Sequence, residues 1–523
     1  MRKHIHTKIA LLFIVGLTLT SCQKDFTAVN TDPINIISTT PSKLLAPALV
    51  NSVSAGLFRN RNFNNELMQV TVSITDGDGA VFRYEYRSTV SDDLWNKWFV
   101  QITNFKDIYK LAGKPEYLNK SYQGISLVCQ SWIFSMLSDV YGDIPYTEAG
   151  QGANGLLEPK FDKQKDIYLD LFKKLEEANT LLSSGTAIQA SSDPVFKGDI
   201  TKWRRFCNSL YLRLLIRVSG KSDVSAMCIA KIKDIVENNA ATYPIMTNNA
   251  ESATIKWTGG TSTSDAYTAP YVNGVRAQDF RAPAIGSFFI DHLVNWKDPR
   301  LDVSAPYGTG GANAWGIAQG GLSSYSGVPS GYVIGTGVTK GSYFYSNDQT
   351  LGSGTYGAKS LQQNPLTGIL MNYAEVQFIL AEAAAKGWIA SSAQNYYNAG
   401  ITAAINYWVQ GFTSDPTAAM AIKHIEEADI DWNDAASIEN KMEQIHVQKY
   451  YALFMVDLQQ WFEYRRTGHP VLPKGAGLRN GGVMPARMNY PVYVQSANPT
   501  NYQAAIASQG PDVISTNVWW QKP

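Results

Sequence analysis

Cysteine is scarce in this chain of 523 residues, which has four in all. Cys22 lies near the N-terminus, and the other three, Cys129, Cys207 and Cys228, are an odd number that cannot all pair. Cys129 and Cys207 lie in strongly apolar helical stretches, which predicts buried thiols. A disulfide between Cys207 and Cys228, on adjacent predicted helices, is the alternative that the sequence leaves open.

An excess of charge of either sign is also missing. The chain has 45 basic and 44 acidic residues. The formal net charge of +1 becomes −2 without residues 1–21, because that segment carries three basic residues and no acidic one. Nucleic-acid-binding surfaces need concentrated positive charge. The charge balance therefore predicts that nucleic acid is not a partner.

The sequence patterns of common catalytic sites are missing as well. There is no G-x-S-x-G elbow, no H-E-x-x-H zinc motif and no complete G-x-x-x-x-G-K-[ST] loop. Residues 352–357 fit the dinucleotide pattern G-x-G-x-x-G, but no strand is predicted before them and no helix after them. Residues 76–79 (DGDG) lack the later ligands of a calcium loop, so we interpret them as a turn. We expect no enzyme, no cofactor and no metal site.

The chain has little long apolar sequence, and the run Ile9–Leu19 is too short to span a bilayer. Basic residues precede it, and Leu19-Thr20-Ser21-Cys22 follows, which gives an aliphatic residue and two small residues before a cysteine. This layout indicates a secretory signal with a lipidation site. We expect a signal peptide of residues 1–21 and a lipid on Cys22. An ordinary signal peptide with a chance cysteine is the alternative.

Residues 22–40 are polar and show little periodicity, which predicts a lipidated tether. No later segment is apolar enough to span a membrane. We therefore expect the mature protein to be attached to the membrane through its lipid anchor only.

The rest of the chain, residues 41–523, is predicted as a mostly α-helical domain. Its helical scaffold covers about 41–240 and 370–470, and a loop-rich region rich in glycine covers about 241–369. Ser91 is the expected N-cap of the first long helix, and the last 55 residues are expected to be loops. The predicted helices are residues 91–112, 121–140, 163–183, 200–219, 223–238, 371–386, 391–410 and 437–466, with a short one at 284–296.

Helix pairs of about 34–40 residues are typical of tetratricopeptide-like stacking. The signature of that repeat is not cleanly present, so periodicity alone leaves a helical solenoid and a helical bundle as alternatives. Helix pairs on both sides of the loop-rich region indicate a scaffold that carries an irregular insertion. Binding residues often lie on such loops.

Several ordered segments of the chain resemble the SusD/RagB family of outer-membrane nutrient-binding lipoproteins. The resemblance begins at the Cys22 lipidation site and ends near residue 495. It includes YAEVQFILAEAAAKG at Tyr373–Gly387 and PARMNYP at Pro485–Pro491. The other segments are Leu137–Tyr146, Trp203–Arg213, Asp298–Arg300 and Gln448–Gly468.

The resemblance implies a surface-exposed outer-membrane protein that binds a glycan or another nutrient. It also implies a partner, a SusC-type TonB-dependent transporter barrel over which the protein sits as a hinged lid. The implied fold is an α/α superhelix of tetratricopeptide-like pairs that face the transporter, with the ligand site built from loops. A peptide ligand is the first alternative to a glycan, and a surface hydrolase is a more distant one, because catalytic carboxylates need only meet in space.

A sugar ring has an apolar face that an accessible tyrosine or tryptophan can cover, while polar groups bind its hydroxyls. Loop aromatics and their polar neighbours are therefore the candidate ligand residues. They lie just before the first long helix and in the loop-rich region. They are Asp76, Asp78, Arg83, Tyr84, Tyr86, Trp257, Tyr267, Trp315, Tyr325, Tyr332, Tyr343 and Tyr345.

Charged residues within the predicted helices have a structural interpretation. We expect the arginines to bind helix ends and carboxylates, and the glutamates to have buried partners, rather than to contact ligand. These residues are Arg213, Arg217, Arg465, Arg466, Glu375 and Glu382.

Overall fold

The computed structural model describes residues 39–75, 77, 79–260, 267–301, 313–321, 324–348 and 360–522. The signal peptide, Cys22 and nearly all of the tether lie outside the described residues. So do Asp76, Asp78 and the glycine-rich segment 352–357.

The first helical block contains the helices predicted from residue 91 onward, but it begins with a 19-residue helix, α1 Pro41–Arg59, that the individual helix predictions missed. Asn119 caps α4, because its side-chain oxygen accepts the backbone N–H groups of Ser121 at 3.0 Å and Tyr122 at 3.1 Å. The prediction that Ser91 caps α3 is wrong, because Ser91 ends a 3₁₀ turn and its side chain makes no capping bond. The helices are α1 Pro41–Arg59, α2 Asn65–Leu67, α3 Asp92–Ala112, α4 Lys120–Tyr141, α5 Gln164–Ser183, α6 Ile200–Val218 and α7 Ser225–Lys233.

Consecutive helices of this block pack on one another, α3 on α4, α4 on α5 and α5 on α6. Helix α4 is buried around nearly its whole circumference, as its apolar sequence predicts. In the second block α11 Tyr373–Ala385 packs on α12 Ala393–Trp408 and on α14 Ile438–Ala452. Helix α13 Ala419–Glu427 lies between α12 and α14 in the chain. This helical-repeat arrangement confirms the predicted fold class.

The single long helix predicted at 437–466 is wrong. The chain forms α14, leaves the helical conformation, and begins again as α15 Gln459–Thr467. Between the two helices Met455 and Asp457 have positive φ values of 69° and 31°. Asp457 is buried, and its carboxylate accepts a hydrogen bond from Gln459 Nε2 at 3.0 Å. This side chain supports a bend that a hydrophobic pattern does not reveal.

The prediction that the last 55 residues are loops is also wrong, because they contain α16 Val492–Ala497 and α17 Pro499–Gln509. Pro499 stands at the start of α17, where a missing N–H costs nothing. Gln509 ends the helix and donates to the Tyr141 carbonyl oxygen at 3.2 Å and to the Tyr490 hydroxyl at 2.7 Å. These contacts hold the C-terminal region against the end of α4.

Among its described residues the loop-rich region contains three short helices, α8 Pro270–Gly274, α9 Ala277–Phe280 and α10 Ser287–Asn295, and short strands, and further short strands lie in the helical blocks. Each strand pair is antiparallel: β1 pairs with β5, β2 with β3, β4 with β8 and β6 with β7. The strands are β1 Thr71–Val72, β2 Ile144–Pro145, β3 Phe161–Asp162, β4 Ala253–Ile255, β5 Ala284–Ile285, β6 Ile317–Gln319, β7 Ser342–Phe344 and β8 Gly368–Met371.

The aromatic side chains of the loop-rich region join the hydrophobic core of the helical blocks at the turn after α14. Trp315 is fully buried, and its ring centroid lies 4.8 Å from that of Phe454 and 5.6 Å from that of Phe289. Phe344 stacks on Phe454 at 5.7 Å. Burial of these large rings stabilises the irregular loops against the helical scaffold.

Buried ion pairs connect the two helical blocks. Arg213 on α6 donates to both carboxylate oxygens of Glu375 on α11, each at 2.6 Å. Arg217 on α6 lies 3.0 Å from Glu463 on α15, whereas Arg466 on α15 lies 2.6 Å from Glu382 within the second block. The structural interpretation of these residues is therefore confirmed.

The three described cysteines, Cys129, Cys207 and Cys228, are free and buried. The buried-thiol prediction is confirmed, and the Cys207–Cys228 disulfide is not formed. Burial raises the pKa of each of these thiols. Among the described residues no helix is both long and apolar enough to cross a membrane.

Candidate ligand-binding surface

Short backbone pairings bring the separate candidate loops together on one side of the scaffold. Strand β1 pairs with β5, Gly286 bridges to Val328, and the Ser326 N–H donates to the Ser342 hydroxyl at 3.1 Å. Strand β7 then pairs with β6. We call this surface the loop platform, defined as the described residues of 71–86, 284–286, 317–344 and 475–479.

Arg83 and Tyr332 join the two loops that the sequence singled out. The Tyr332 hydroxyl donates to the Ser73 carbonyl oxygen at 3.0 Å, and its ring stacks on Phe82 with centroids 5.5 Å apart. The Arg83 guanidinium lies 4.7 Å from the centre of the Tyr332 ring. Arg83 is buried, whereas Tyr332 is half-buried and keeps an accessible part. Tyr332 is thus an oriented aromatic side chain that a ligand can reach.

The loop after α15 completes this part of the platform, and sequence reasoning missed it. The Gly477 N–H donates to the Gly331 carbonyl oxygen at 2.7 Å, and the Arg479 N–H donates to the Arg83 carbonyl oxygen at 2.7 Å. Backbone atoms make these contacts, so no side-chain pattern could have indicated them.

Exposed aliphatic side chains surround the Tyr332–Ser73 contact. Ile74, which follows Ser73 in the chain, is 37% exposed. Val333 and Ile334, which follow Tyr332, are 47% and 42% exposed. A group of exposed apolar side chains beside an accessible aromatic ring is typical of a ligand-binding surface. A search restricted to aromatic residues could not have found them.

Tyr325 and Tyr343 lie near the other end of the platform, and both are half-buried. The Lys340 ammonium lies 4.2 Å from the centre of the Tyr343 ring and donates to the carbonyl oxygens of Arg281 and Ala282. Burial lowers the pKa of Lys340, and the Arg281 charge adds to this effect. These groups offer a second accessible ring next to a fixed cation.

Five of the candidate aromatic residues are buried. Because a ring with almost no accessible surface cannot stack on a sugar, these side chains pack the protein interior in this structure. The Tyr86 hydroxyl, for example, donates to the Arg487 carbonyl oxygen at 2.5 Å. Their exposures are 1% for Tyr84, 9% for Tyr86, 3% for Trp257, and 0% for Trp315 and Tyr345.

Tyr267 is half-buried and belongs to a different part of the molecule. Its ring centre lies 5.5 Å from the Lys197 ammonium, and its carbonyl oxygen accepts the Thr258 N–H at 2.9 Å. The structure therefore separates Tyr267 from the candidates of the loop platform.

Glu66 underlies the platform loop that contains Arg83. Its carboxylate accepts the Phe82 N–H at 3.3 Å, and burial raises the pKa of Glu66 to about 7. This buried carboxyl group is thus in contact with the backbone of Phe82, whose ring stacks on Tyr332.

Glu382, His446 and Glu463 come close enough to hold a metal ion, but their surroundings argue against one. Lys449 lies 2.6 Å from Glu463, and Arg466 lies 2.6 Å from Glu382 and 2.8 Å from Glu463. Although burial opposes ionisation, these cations hold the pKa values of both glutamates well below their usual range. The cluster is an ion-pair network, because a divalent cation would meet charges that are already neutralised.

The scaffold and platform together define a class of protein, a helical-repeat protein that presents binding loops. A family model described as SusD-like, "Starch-binding associating with outer membrane", matches residues 33–491. The chain therefore belongs to this SusD-like family, which confirms the resemblance found in the sequence. No curated protein matches the chain.

Solved structures of SusD homologues share the fold over almost their whole length. A SusD homologue from Bacteroides fragilis is 23% identical, with a TM-score of 0.72, over 93% of this chain and 100% of that chain. A chitin-binding SusD homologue from Flavobacterium johnsoniae is 20% identical, with a TM-score of 0.72, over 92% of this chain and 98% of that chain. A further chitin-binding protein is 24% identical, with a TM-score of 0.71, over 92% of this chain and 100% of that chain. The TM-scores of 0.71 and 0.72 show that the chain shares their fold.

Proposed function

We propose that this protein is a cell-surface glycan-binding lipoprotein that delivers oligosaccharides to a SusC-type TonB-dependent transporter. The observation that carries the proposal is the accessible Tyr332 ring, which is fixed by Ser73, Phe82 and Arg83 on the loop platform. An oriented ring loses little conformational entropy when it stacks on a sugar. Family membership supports the choice of a glycan, since the family description names starch.

The binding surface carries the chemistry that a glycan needs. The Tyr332 and Tyr343 rings, with the aliphatic side chains beside Tyr332, can cover the apolar faces of sugar rings. Platform carbonyl groups and the Lys340 ammonium can bind hydroxyls. A platform that binds without chemical conversion fits the missing catalytic motifs, so we propose no enzymatic activity.

The ligand is tested by calorimetry on the chain beginning at residue 23. The first probes are maltohexaose, because the family description names starch, and chitohexaose, because two similar structures are of chitin-binding proteins. We expect Tyr332→Ala to weaken binding by about twofold to tenfold, because stacking on one ring contributes about 0.5–1.5 kcal/mol. Tyr396→Ala is the matched control, since Tyr396 is also half-buried but lies on α12. Equal affinity in wild type and Tyr332→Ala would place the ligand elsewhere.

Two other outcomes would redirect the proposal. Binding of a peptide library with no response to any oligosaccharide would favour the peptide alternative. Release of new reducing ends from a polysaccharide would show a hydrolase. The partner is tested by affinity purification of the lipidated protein from solubilised outer membranes, which should recover a TonB-dependent barrel.

A further inference from the structure

A polar cleft of about 380 Å³ lies away from the residues of the loop platform. Its walls are the turn before α6, strand β4 with the residues that flank it, and the C-terminal end of α12. This volume lies near the lower end of the range for small-molecule sites, about 300–1,000 Å³. The cleft can therefore hold a group of the size of one or two sugar rings.

The charged side chains that line the cleft are all positive. Lys197, Lys202 and Lys256 line it, and no aspartate or glutamate does. Within the described part of the chain, none of these three lysines lies within 4.0 Å of a carboxylate. Three lysines and no carboxylate along one concave surface give it a positive potential, which favours an anionic ligand.

The turn that presents Lys197 is rigidly built. The buried Asp193 carboxylate accepts the N–H groups of Val195 at 3.0 Å, Phe196 at 3.1 Å and Gly198 at 2.9 Å. Lys197 itself has a positive φ of 55°, which a residue other than glycine seldom adopts. The fold thus maintains an unfavourable backbone conformation at a lysine that lines the cleft.

The opposite wall offers groups that suit hydroxyls. Asn249 donates to Asn406 Oδ1 at 3.0 Å and to the Ala403 carbonyl oxygen at 2.9 Å. The Asn249 side-chain oxygen is buried and accepts no hydrogen bond from the described residues. The Tyr407 hydroxyl, which donates to the Leu366 carbonyl oxygen at 2.9 Å, lies close by in the same wall.

We propose that this cleft is a second binding site, selective for an acidic sugar residue. The lysines would bind its carboxylate or sulfate group, and the amide groups of Asn249, Asn406 and Gln410 would bind its hydroxyls. The sugar part of the proposal rests on the proposed glycan-binding function, whereas the anion part does not.

The test is titration of the chain beginning at residue 23 with digalacturonate, galactose 6-sulfate, galactose and inorganic sulfate, followed by calorimetry. We expect both acidic sugars to bind at least about tenfold more tightly than galactose, a difference of about 1.4 kcal/mol. Affinity should fall as salt rises from about 50 to about 300 mM, because salt screens the lysine charges. If inorganic sulfate binds as tightly as the acidic sugars, the site is an anion site without sugar selectivity and the proposal fails.

The double variant Lys202→Gln, Lys256→Gln should lose at least about tenfold in affinity for the acidic sugars. Lys114→Gln, Lys163→Gln is the matched control, because both lysines are exposed and lie outside the cleft. Thermal unfolding of each variant checks that it is folded. Unchanged acidic-sugar affinity in the Lys202/Lys256 variant would overturn the proposal.

Tyr332→Ala separates this proposal from that of the loop platform. It should weaken neutral oligosaccharides and leave digalacturonate binding within about twofold of wild type. If Tyr332→Ala abolishes acidic-sugar binding while the lysine variant keeps it, the platform binds both ligands and the cleft proposal alone fails. If neutral oligosaccharides never bind but digalacturonate does, the platform proposal alone fails.

Discussion

Burial separates candidates that look equivalent in the sequence. Trp315 and Tyr332 are both aromatic residues of the glycine-rich region, yet Trp315 is 0% exposed and Tyr332 is half-buried. The reason is that the largest rings of the loop-rich region fasten it to the hydrophobic core that it shares with the helical blocks. Tyrosine can combine a packed ring with an accessible edge and a bonded hydroxyl, and Tyr332 does so.

The Arg213–Glu375 pair gives a prediction about the stabilising effect of two individual residues. Glu375→Gln would leave the buried Arg213 charge without its counter-ion, so we expect a loss of about 3–5 kcal/mol in the free energy of unfolding. Urea denaturation monitored by circular dichroism measures it. The control Asp93→Asn breaks the more exposed pair with Lys97, 2.7 Å apart, and should cost no more than about 1 kcal/mol. Similar losses in both variants would contradict the importance assigned to burial.

Short elements, rather than long ones, assemble the binding surface. Helix periodicity predicts most of the long helices, because each must bury one face, although it misses α1. It fails at Met455–Asp457, where two residues of positive φ divide the predicted helix, and it misses α17 near the C-terminus. Two-residue strands such as β1 and β5 leave no detectable pattern, since an alternation of period two needs more residues to appear.

The junction of β1 and β5 gives a prediction about these short strands. An added Cβ on Gly286 would lie 2.0 Å from the Gln69 carbonyl oxygen, so Gly286→Ala must displace backbone. We expect a loss of about 1–3 kcal/mol in the free energy of unfolding and weaker oligosaccharide binding. Gly152→Ala is the control, because nothing lies within 4 Å of its added Cβ. Denaturation measures the stability and calorimetry measures the oligosaccharide affinity. Unchanged stability in Gly286→Ala would contradict the close contact between Gly286 and the Gln69 carbonyl oxygen.

The described part of the molecule combines a helical scaffold with the loop platform, which we propose as the binding surface, and a separate polar cleft. Buried ion pairs between α6, α11 and α15 connect the two helical blocks. The loops are anchored to that scaffold, for example through the Tyr450 hydroxyl, which donates to the Met68 carbonyl oxygen at 2.8 Å. A rigid scaffold reduces the entropy lost when the loops bind a ligand.

The proposed lipid anchor gives a prediction for the whole molecule. Cys22→Ala should move the protein from the membrane fraction to the soluble fraction, since acyl chains contribute ~0.8 kcal/mol per buried CH2. Its oligosaccharide affinity should stay unchanged, because the platform lies in the folded domain. Uptake should fall, because tethering raises the local concentration of the protein beside its transporter. Fractionation, calorimetry and an uptake assay test these points, and normal uptake by Cys22→Ala would contradict the role of the anchor.

The sequence alone determined the helical class, the family, the burial of Cys129 and Cys207 and the structural role of Arg213 and Glu375, whereas the structure decided that Cys207 and Cys228 are not bridged. These features follow from local periodicity, composition and ordered motifs, which short stretches of chain contain. Only the tertiary structure decided which aromatic rings are accessible. It also decided that Arg83 and Tyr332, 249 residues apart in the chain, meet on one surface. The physical reason is that accessibility and long-range contact depend on how the whole chain packs, and a linear pattern does not contain that information.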